Sequence, residues 1–388
     1  MTFLNSFKFF LKESSYRFYH LPRIGSLRKG SNTKGVVCIC YLTSPFLNGF
    51  LKARSNEENI KSIVGAFIDL GYEVDVYDYN SSPKYHIKKK YDIIFGFGSF
   101  FKYIVDYQNK RSFDFKSISY FTELPGEYTV EIERSRISYL RGKGYKVSLA
   151  KNSRGGHFFT KSHHIQSNYL IFTGPDRNLC YFDKYNFRKK IAIQPSILEL
   201  SDLNLRVHRK ENSFVWVGSF GGIVKGVDIL IDIFNRKPDW SLSMFGLDSR
   251  DKKAFLKKLP KNIKNMGFHS PNSKTFVDTL SSTKYVLSPS FSEGSATGVL
   301  TAMAYGCLPV VSSETGTEFP AGMPSIYFKC DQNTEKILVD IENILLEFNA
   351  LPQEYHAYLS IDSRKKYCQD SFYKNFSKSI TEVIKYEA

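Results

Sequence analysis

Two glycine-rich segments in the C-terminal half of the chain have residue types that can hold an anionic, phosphate-bearing ligand. In the first, a strand-like run at Val215–Val217 is followed by glycines and then by Lys225 at a predicted helix start. In the second, Glu293 precedes a turn of small residues, 294–298, which leads into a predicted helix at 297–305. Free N–H groups at a helix N-terminus, together with a cation, stabilise negative charge without a metal ion. The two segments therefore predict a site for such a ligand.

The order of these segments resembles the donor domain of GT-B glycosyltransferases, specifically the retaining family-4 type, glycosyl transferases group 1. That family reads hydrophobic-Val-Gly-Arg, then Lys-Gly, then Pro-Ser-x-x-Glu-Gly, and then Glu-Ala-Met-Ala-x-Gly-x-Pro-Val-Val. The matching residues are Val217-Gly218, Lys225-Gly226, Pro289-Ser290, Glu293-Gly294, Ala302-Met303-Ala304, Gly306, Pro309, Val310 and Val311. The resemblance covers about 150 residues well, and the first half of the chain only in its general α/β layout.

The resemblance implies an α/β protein of the GT-B fold, in which two Rossmann-like domains with parallel sheets face a central cleft. It also implies a metal-independent enzyme that transfers a sugar from a nucleoside diphosphate donor with retention of configuration. In the family pattern Lys225 is the cation beside the departing diphosphate, and Glu293 holds sugar hydroxyls. The further donor-binding residues that we expect are Gly218, Ser219, Gly294, Ser295, Ala296, Thr297, Thr301 and Glu314.

Two residues depart from the family pattern. Ser219 stands where the family has an arginine that binds the diphosphate, and Thr301 stands where it has a second glutamate that grips the ribose. Glu314 or Glu318, in the loop that follows, could replace that glutamate. These departures leave a second interpretation open, in which the chain is a catalytically inert GT-B-like binding or scaffold subunit.

Three segments of the first half are candidates for the acceptor or sugar side of the cleft. Asn48 and Gly49 lie in the loop after the first predicted strand. Glu123 follows the fourth, near where many relatives place a histidine that touches the sugar, although an ordinary helix-capping role is also open. The segment Arg-Gly-Gly-His at 154–157 offers Arg154 as a replacement for the missing arginine and His157 as a further contact, and a surface loop explains it as well.

Other chemistries lack the residues they require. The glycine-rich run at 96–101 follows a strand but lacks the third glycine of a dinucleotide fingerprint. A metal-dependent GT-A transferase would use an Asp-x-Asp motif, and none occurs in the chain. The six scattered cysteines have no zinc-ligand spacing and fit a reducing, cytosolic compartment. We therefore expect no metal and no cofactor besides the nucleotide-sugar substrate.

The elements that must position these residues alternate between short apolar runs and helical stretches, as in parallel α/β sheets. In the first half the predicted strands are Gly35–Leu42, Glu73–Tyr79, Tyr91–Phe97, Ser117–Thr122, Lys146–Ala150, Tyr169–Thr173 and Lys190–Pro195, with helices at 55–70 and 126–142. In the second half they are Phe214–Val217, Trp240–Phe245, Ile263–Gly267, Tyr285–Ser288 and Leu308–Val311, with helices at 225–235, 249–259, 273–282 and 297–305. The carboxyl ends of the strands should face the cleft, where such folds bind ligands.

Length and composition fit two globular domains. The chain has 388 residues, more than one hydrophobic core usually supports, and 42% of them are hydrophobic. The predicted parts are a basic arm at 1–34, an acceptor domain at 35–198, a linker at 199–212, a donor domain at 213–370 and a C-terminal helix at 371–388 that could cross back to the first domain. The apolar runs are far shorter than the ~20 residues of a membrane-spanning helix, which indicates a soluble or peripheral protein.

The formal net charge of +16 is concentrated partly in the N-terminal arm. Residues 1–34 carry seven basic residues and one glutamate, and Phe3, Phe7 and Phe10 recur among the lysines at roughly helical spacing. Such an arm suits an anionic membrane surface, although it could equally pack on its own domain. Nucleic acid is a weaker alternative because no recognition motif accompanies the charge.

From the resemblance and the arm together, we expect a cytoplasmic protein that is peripheral on the membrane. Its expected partners are a nucleotide sugar, a glycan or lipid-linked acceptor and an anionic membrane surface, with no nucleic acid. Such a protein would serve in the assembly of a surface polysaccharide, such as lipopolysaccharide or capsule.

Overall fold

Two parallel α/β sheets organise the chain. The computed structural model describes residues 24–27, 33–46, 55–79, 81, 89–155, 167–200, 209–320, 322–330 and 333–386. The strands of the first sheet are β1 (Ile24–Leu27), β2 (Val36–Tyr41), β3 (Glu73–Asp78), β4 (Ile93–Gly96), β5 (Lys116–Phe121), β6 (Tyr169–Thr173) and β7 (Lys189–Ile193). Their spatial order is β1-β3-β2-β4-β5-β6-β7, and every neighbouring pair is parallel except β1 with β3.

The strands of the first sheet read as apolar runs because both faces are covered. In β2, Val37 and Ile39 pack into one core, while Cys38 and Cys40 pack into another on the opposite face. The helices of this domain are α1 (Ser55–Asp69), α2 (Gly98–Asn109), α3 (Gly126–Gly142) and the single turn α4 (Leu149–Asn152).

The second sheet has five parallel strands. These are β8 (Lys210–Val217), β9 (Ser241–Phe245), β10 (Ile263–Gly267), β11 (Thr283–Ser288) and β12 (Leu308–Val311), in the order β10-β9-β8-β11-β12. The helices around it are α5 (Val227–Arg236), α6 (Ser249–Phe255), α7 (Lys274–Ser282), α8 (Thr297–Ala304), α9 (Thr334–Asn349) and α10 (Tyr355–Lys366). A last helix, α11 (Gln369–Lys385), follows. Two parallel-sheet α/β domains are therefore present, as predicted.

Two helices cross between the domains. Phe372 and Phe376 of α11 belong to the core of the first domain, and the Phe376 ring lies 5.5 Å from that of Phe95 on β4. In the other direction, Ile137 and Leu140 of α3 are buried in the core of the second domain. Each domain thus completes part of the other's hydrophobic core.

The structure differs from the sequence expectations at five places. Ile24–Leu27, which we assigned to the basic arm, pairs antiparallel with β3 and packs its apolar side chains on the first core. Lys146–Ala150 is not a strand: Leu149–Asn152 forms a helical turn, and Val147 is buried in the second core. The helices at Gly98–Asn109, Thr334–Asn349 and Tyr355–Lys366 were not predicted. The remaining residues of the arm outside 24–27, 33 and 34, and residues 201–208 of the linker, lie outside the described residues.

Candidate donor site

A buried ion pair joins the two glycine-rich segments of the second domain. Lys225 Nζ donates to Glu293 Oε1, and their side chains are only 7% and 11% exposed. Lys225 stands just before α5, and Glu293 lies in the loop that leaves β11. Parallel strands β8 and β11 are neighbours in the sheet, so the loops at their carboxyl ends lie side by side. The sequence-predicted pair is thus brought together at the edge of the sheet that faces the cleft.

The turn between Glu293 and α8 is fixed by backbone hydrogen bonds. Glu293 N donates to Glu314 O at 3.1 Å, Gly316 N donates to Glu293 O at 3.1 Å, and Ala296 N donates to Gly316 O at 3.3 Å. Among the polar side-chain atoms of this turn and its partner loop, Ser295 Oγ and Glu314 Oε2 are buried and hydrogen-bonded to no described residue. Buried polar atoms ordinarily have partners, so these two atoms are candidates for contact with a ligand.

Helix α8 begins directly beside the end of β8. A Cβ on Gly298 would lie 2.3 Å from Val217 O, so only glycine permits this approach of the helix to the strand. No side chain caps the N-terminus of α8. Of the first-turn amides, Thr297 N is bonded to Ser295 O at 3.0 Å. The positive end of the helix dipole therefore points at the same loops that carry Lys225 and Glu293.

The first domain contacts this turn directly. A Cβ on Gly294 would lie 2.8 Å from Glu123 Cα and 2.8 Å from Thr122 O, so the loop after β5 rests on the backbone of Gly294. Thr129 and Ser292, one from each domain, share a hydrogen bond of 2.9 Å between their hydroxyl groups. The predicted sugar-side residue Glu123 is thereby placed next to Glu293-Gly294.

Arg154 crosses from the first domain to the same place. Its guanidinium donates to a carboxylate oxygen of Glu123 through Nη2 and to Phe220 O through Nη1, the latter at 2.6 Å. Burial acts to lower the pKa of Arg154, but the negative charges of Glu123 and Glu293 outweigh it and raise that pKa above its ordinary value. Two cations and two carboxylates, drawn from both domains, therefore form one charge cluster: Glu123, Arg154, Lys225 and Glu293.

The remaining expected residues divide into three groups. Gly218, whose N–H donates to Phe245 O at 3.0 Å, and the exposed Ser219 lie in the loop after β8, and Ala296 and Thr297 are at the start of α8. Thr301 Oγ1 donates to Thr297 O of its own helix at 2.8 Å, and Glu318 accepts from Gln194 Nε2 at 2.7 Å and Lys366 Nζ at 3.2 Å. Glu318 is thus already paired, which leaves Glu314 as the available carboxylate. Asn48, Gly49 and His157 lie outside the described residues.

Sequence reasoning missed two carboxylates that shape this region. Glu133 of α3 accepts hydrogen bonds from Ser153 Oγ and from the backbone N–H groups of Arg154 and Gly155. Asp251 of α6 accepts from Gly222 N at 2.8 Å and Gly221 N at 3.2 Å. Burial raises the pKa of both, opposed by these hydrogen bonds. No motif marks either residue, because each looks like a surface carboxylate in a charged helix.

Within the described part of the chain, no three His, Cys, Asp or Glu side chains lie together as possible ligands of a metal ion. None of the helices within those ranges is both long and apolar enough to cross a bilayer.

Two Rossmann-like domains whose parallel sheets meet at a cleft, with a helix N-terminus and a lysine on the second domain, define the GT-B fold of glycosyltransferases. Residues 211–345 match the family model described as Glycosyl transferases group 1. That match lies in the second domain, where the sequence motifs lie, and confirms the resemblance to glycosyl transferases group 1. No curated protein sequence matches the chain.

Solved structures of this fold cover nearly the whole chain at low sequence identity. The lipopolysaccharide outer core galactosyltransferase WaaB is 13% identical, with 90% of this chain and 99% of that one covered and a TM-score of 0.58. Sucrose-phosphate synthase from Thermosynechococcus elongatus is 12% identical, with 90% and 98% covered and a TM-score of 0.56. HepE from Anabaena, in complex with UDP and glucose, is 10% identical, with 89% and 99% covered and a TM-score of 0.54. The predicted GT-B fold is confirmed.

Proposed function

We propose that this chain is a glycosyltransferase that moves a sugar from a nucleoside diphosphate donor to a glycan or lipid-linked acceptor, with retention and without a metal ion. The observation that carries the proposal is the buried Lys225–Glu293 pair beside the uncapped N-terminus of α8. Sugar transfer from such a donor develops negative charge on the departing diphosphate. A cation and helix N–H groups held in place before the reaction stabilise that charge.

The residues take separate roles in this proposal. Lys225 and the first amides of α8 hold the diphosphate, and Glu293 accepts hydrogen bonds from the sugar hydroxyls. Lys225 would exchange its contact with Glu293 for a phosphate oxygen, which frees the carboxylate for the sugar. The departing phosphate accepts the proton of the attacking acceptor hydroxyl on the same face of the sugar, so that configuration is retained and no protein base is required.

The experiment replaces Lys225 by Ala and measures sugar transfer, or donor hydrolysis, across a panel of UDP- and GDP-sugars. We expect turnover to fall by ~10²-fold or more, as the loss of one preorganised electrostatic group does in other enzymes. Lys237, which pairs with Glu342 at the surface, supplies the matched control Lys237→Ala. Wild-type turnover in Lys225→Ala would contradict the donor-site assignment.

Metal independence has its own test. We expect excess EDTA to leave transfer unchanged, because Lys225 and the amides of α8 do the work that a divalent cation does in other transferases. Loss of transfer with EDTA, and its recovery on addition of Mg²⁺ or Mn²⁺, would show that the proposal is wrong on this point.

The alternative is a GT-B-like subunit that binds a ligand and catalyses nothing. The observations that favour it are Ser219 and Thr301, which lack the charges of the family pattern. A protein that binds UDP or GDP but neither hydrolyses nor transfers any sugar in the panel would support it.

Similar structures include a lipopolysaccharide galactosyltransferase, which supports a glycan acceptor, and the basic residues of the arm support a peripheral location on the cytoplasmic face of a membrane. We therefore propose that the chain serves surface polysaccharide assembly.

A further inference from the structure

We propose that Arg154, supplied by the first domain, is the second cation of the donor diphosphate site and replaces the arginine that the second domain lacks at Ser219. We further infer that Glu133 is the positioning residue that holds Arg154 there. This inference rests on the proposed function, because it names which residue completes that site.

The guanidinium of Arg154 lies against the loop after β8. Arg154 Nη1 donates to Phe220 O at 2.6 Å, and Phe220 directly follows Ser219 in the loop after β8. The same loop leads to Lys225. The charge of Arg154 therefore lies beside the loop in which the family has an arginine at position 219, but Arg154 reaches this loop from the first domain, across the cleft.

The loop after β8 leaves room for the side chain of Arg154. Gly221 has a φ of +100°, and a Cβ there would lie 2.8 Å from Arg154 Cδ and 3.2 Å from Arg154 Cβ. A side chain at this position would be strained and would collide with the arginine. The backbone of the second domain is thus shaped to accept a side chain of the first.

The charged groups around Arg154 also suit a diphosphate. Arg154 is paired with Glu123 and also senses the negative charge of Glu293, which is paired with Lys225. The cluster contains two cations, each held by a carboxylate. A diphosphate brings oxygens that can replace both carboxylates as acceptors, and the planar guanidinium can bind two of them at once. Arg154 and Lys225 would then hold the diphosphate from opposite sides of the cleft, and Glu123 would be released toward the sugar.

Hydrogen bonds from both domains hold the segment that carries Arg154. Glu133 accepts hydrogen bonds from the backbone of Arg154 and Gly155, the latter at 3.4 Å. On the other side, Asn152 Nδ2 donates to Asp251 Oδ1 at 3.2 Å, and the second oxygen of Asp251 holds the 221–222 backbone. One buried carboxylate in each domain therefore fixes the arginine against the loop, which is the preorganisation that a charge-binding site requires.

The experiment measures binding of UDP, GDP and inorganic pyrophosphate to the full chain by calorimetry. We expect Arg154→Ala to weaken whichever of these probes the wild type binds by ~10- to 100-fold, which corresponds to the loss of a charge-assisted hydrogen bond or two. Arg154→Lys should be intermediate, since an ammonium cannot bind two oxygens in the guanidinium geometry. The matched control is Arg250→Ala: Arg250 stacks on the Phe220 ring at 3.6 Å from the second domain and should leave affinity unchanged.

The decisive variant moves the charge back to the family's position. Ser219 is exposed, so Ser219→Arg is tolerated sterically, and in the Arg154→Ala background it should restore most of the lost affinity. Glu133→Gln should also weaken binding, and Ser219→Arg should rescue it too, because Glu133 acts only through Arg154. A purely structural loss caused by Glu133→Gln would not be rescued by a new arginine on another domain.

The outcomes separate this inference from the proposed function. If Lys225→Ala loses affinity while Arg154→Ala keeps it, the inference is overturned and the proposed function stands. If Arg154→Ala lowers only the melting temperature, Arg154 is a latch between the domains and the inference is again overturned. If the wild type binds no probe, or Lys225→Ala changes nothing, the proposed function fails and the inference fails with it.

Discussion

At the scale of single residues, we propose that Glu314 holds the ribose of the donor. It lies in the loop whose backbone pairs with Glu293, and its Oε2 atom is buried without a hydrogen bond from any described residue. The family's usual ribose glutamate is Thr301 here, whose hydroxyl is bonded to its own helix. A carboxylate with an oxygen that no described residue bonds can accept hydrogen bonds from the ribose hydroxyls in the complex.

The prediction from this placement is selective for the nucleoside. Glu314→Gln should weaken binding of UDP or GDP by about 10-fold, because a charged acceptor is replaced by a neutral one. Binding of inorganic pyrophosphate should stay unchanged, because it has no ribose. Calorimetry with both ligands checks the difference, and Glu318→Gln, whose side chain is already paired with Gln194 and Lys366, is the matched control. Equal losses for nucleotide and pyrophosphate would place Glu314 at the phosphates instead.

The residues of the site were predictable from sequence only where they belong to a local motif. Lys225 and Glu293 follow strands and precede helices, so their spacing alone places them at one sheet edge. Glu133, Asp251 and the contact of Arg154 with Phe220 depend on which segments of the two domains meet. Such contacts depend on tertiary packing, which the periodicity of a single chain does not contain.

At the scale of elements, helix α3 connects the first domain to the segment of the second domain that contains Phe291 and Glu293. Arg136 forms a buried ion pair with Asp228 of α5, and its guanidinium lies 4.3 Å from the centre of the Phe291 ring. Phe291 is two residues before Glu293. Burial raises the pKa of Asp228, although Arg136 opposes that shift. The pair therefore supports the segment that carries Glu293, provided that both charges are present.

We expect Arg136→Ala to lower the free energy of unfolding by about 3–5 kcal/mol, because it leaves the Asp228 carboxylate buried without a partner. Arg134→Ala, at an exposed position of the same helix, should change it little. Urea denaturation checks both variants. A double variant, Arg136→Met with Asp228→Leu, should recover much of the loss, and an Arg136→Ala protein as stable as the wild type would contradict this account.

The loss should also depend on pH. In Arg136→Ala the folded state retains a carboxyl whose pKa lies above its ordinary value, so the folded state binds a proton more readily than the unfolded state. Stability then increases as the pH falls through the raised pKa and decreases as it rises. The difference from the wild type should therefore be smaller at pH 5 than at pH 8.

Most helices and strands were predictable because their patterns are strong. The helix at Gly126–Gly142 and the strands Ile263–Gly267 and Leu308–Val311 have the predicted bounds. Helix α2 was missed because its sequence, GSFFKYIVDYQN, is rich in aromatic and β-branched residues and has no capping side chain. The run at Lys146–Ala150 has the alternation of a strand, but Tyr145 and Val147 are buried in the second core and Leu149–Asn152 forms a helical turn.

At the scale of the whole molecule, the N-terminal arm requires a finer division than the sequence indicates. Residues 24–27 complete the edge of the first sheet, and residues 1–23 lie outside the described residues. We therefore expect two truncations to differ. A chain that begins at Arg23 keeps β1, whereas a chain that begins at Gly35 leaves β3 as an unpaired edge strand, which favours aggregation.

Basic residues near an anionic surface contribute ~1 kcal/mol each. Binding to anionic liposomes should therefore weaken in the chain from Arg23, which keeps four of the seven basic residues of the arm, and should weaken further in the chain from Gly35, which keeps none. Binding by the full chain should weaken as salt rises, because these charges are screened over ~10 Å at 0.1 M ionic strength. Co-sedimentation measures the binding, and a melting curve separates the two truncations: only the chain from Gly35 should be less stable. Full binding by the chain from Gly35 would assign the membrane contact to another surface.

The two helices that cross between the domains limit how this chain can be recombined with its relatives. A chimera joined within 199–212 would combine the first domain of one protein with the second domain of another. Asp228 would then lose Arg136 as its partner, and the α11 of the other protein would pack on the first core. Transplanting a donor specificity would therefore require residues 126–155 to travel with the second domain and residues 369–385 to match the first. The two halves are therefore interlocked, and a change of ligand preference is more easily made by point changes in the loops than by exchange of whole domains.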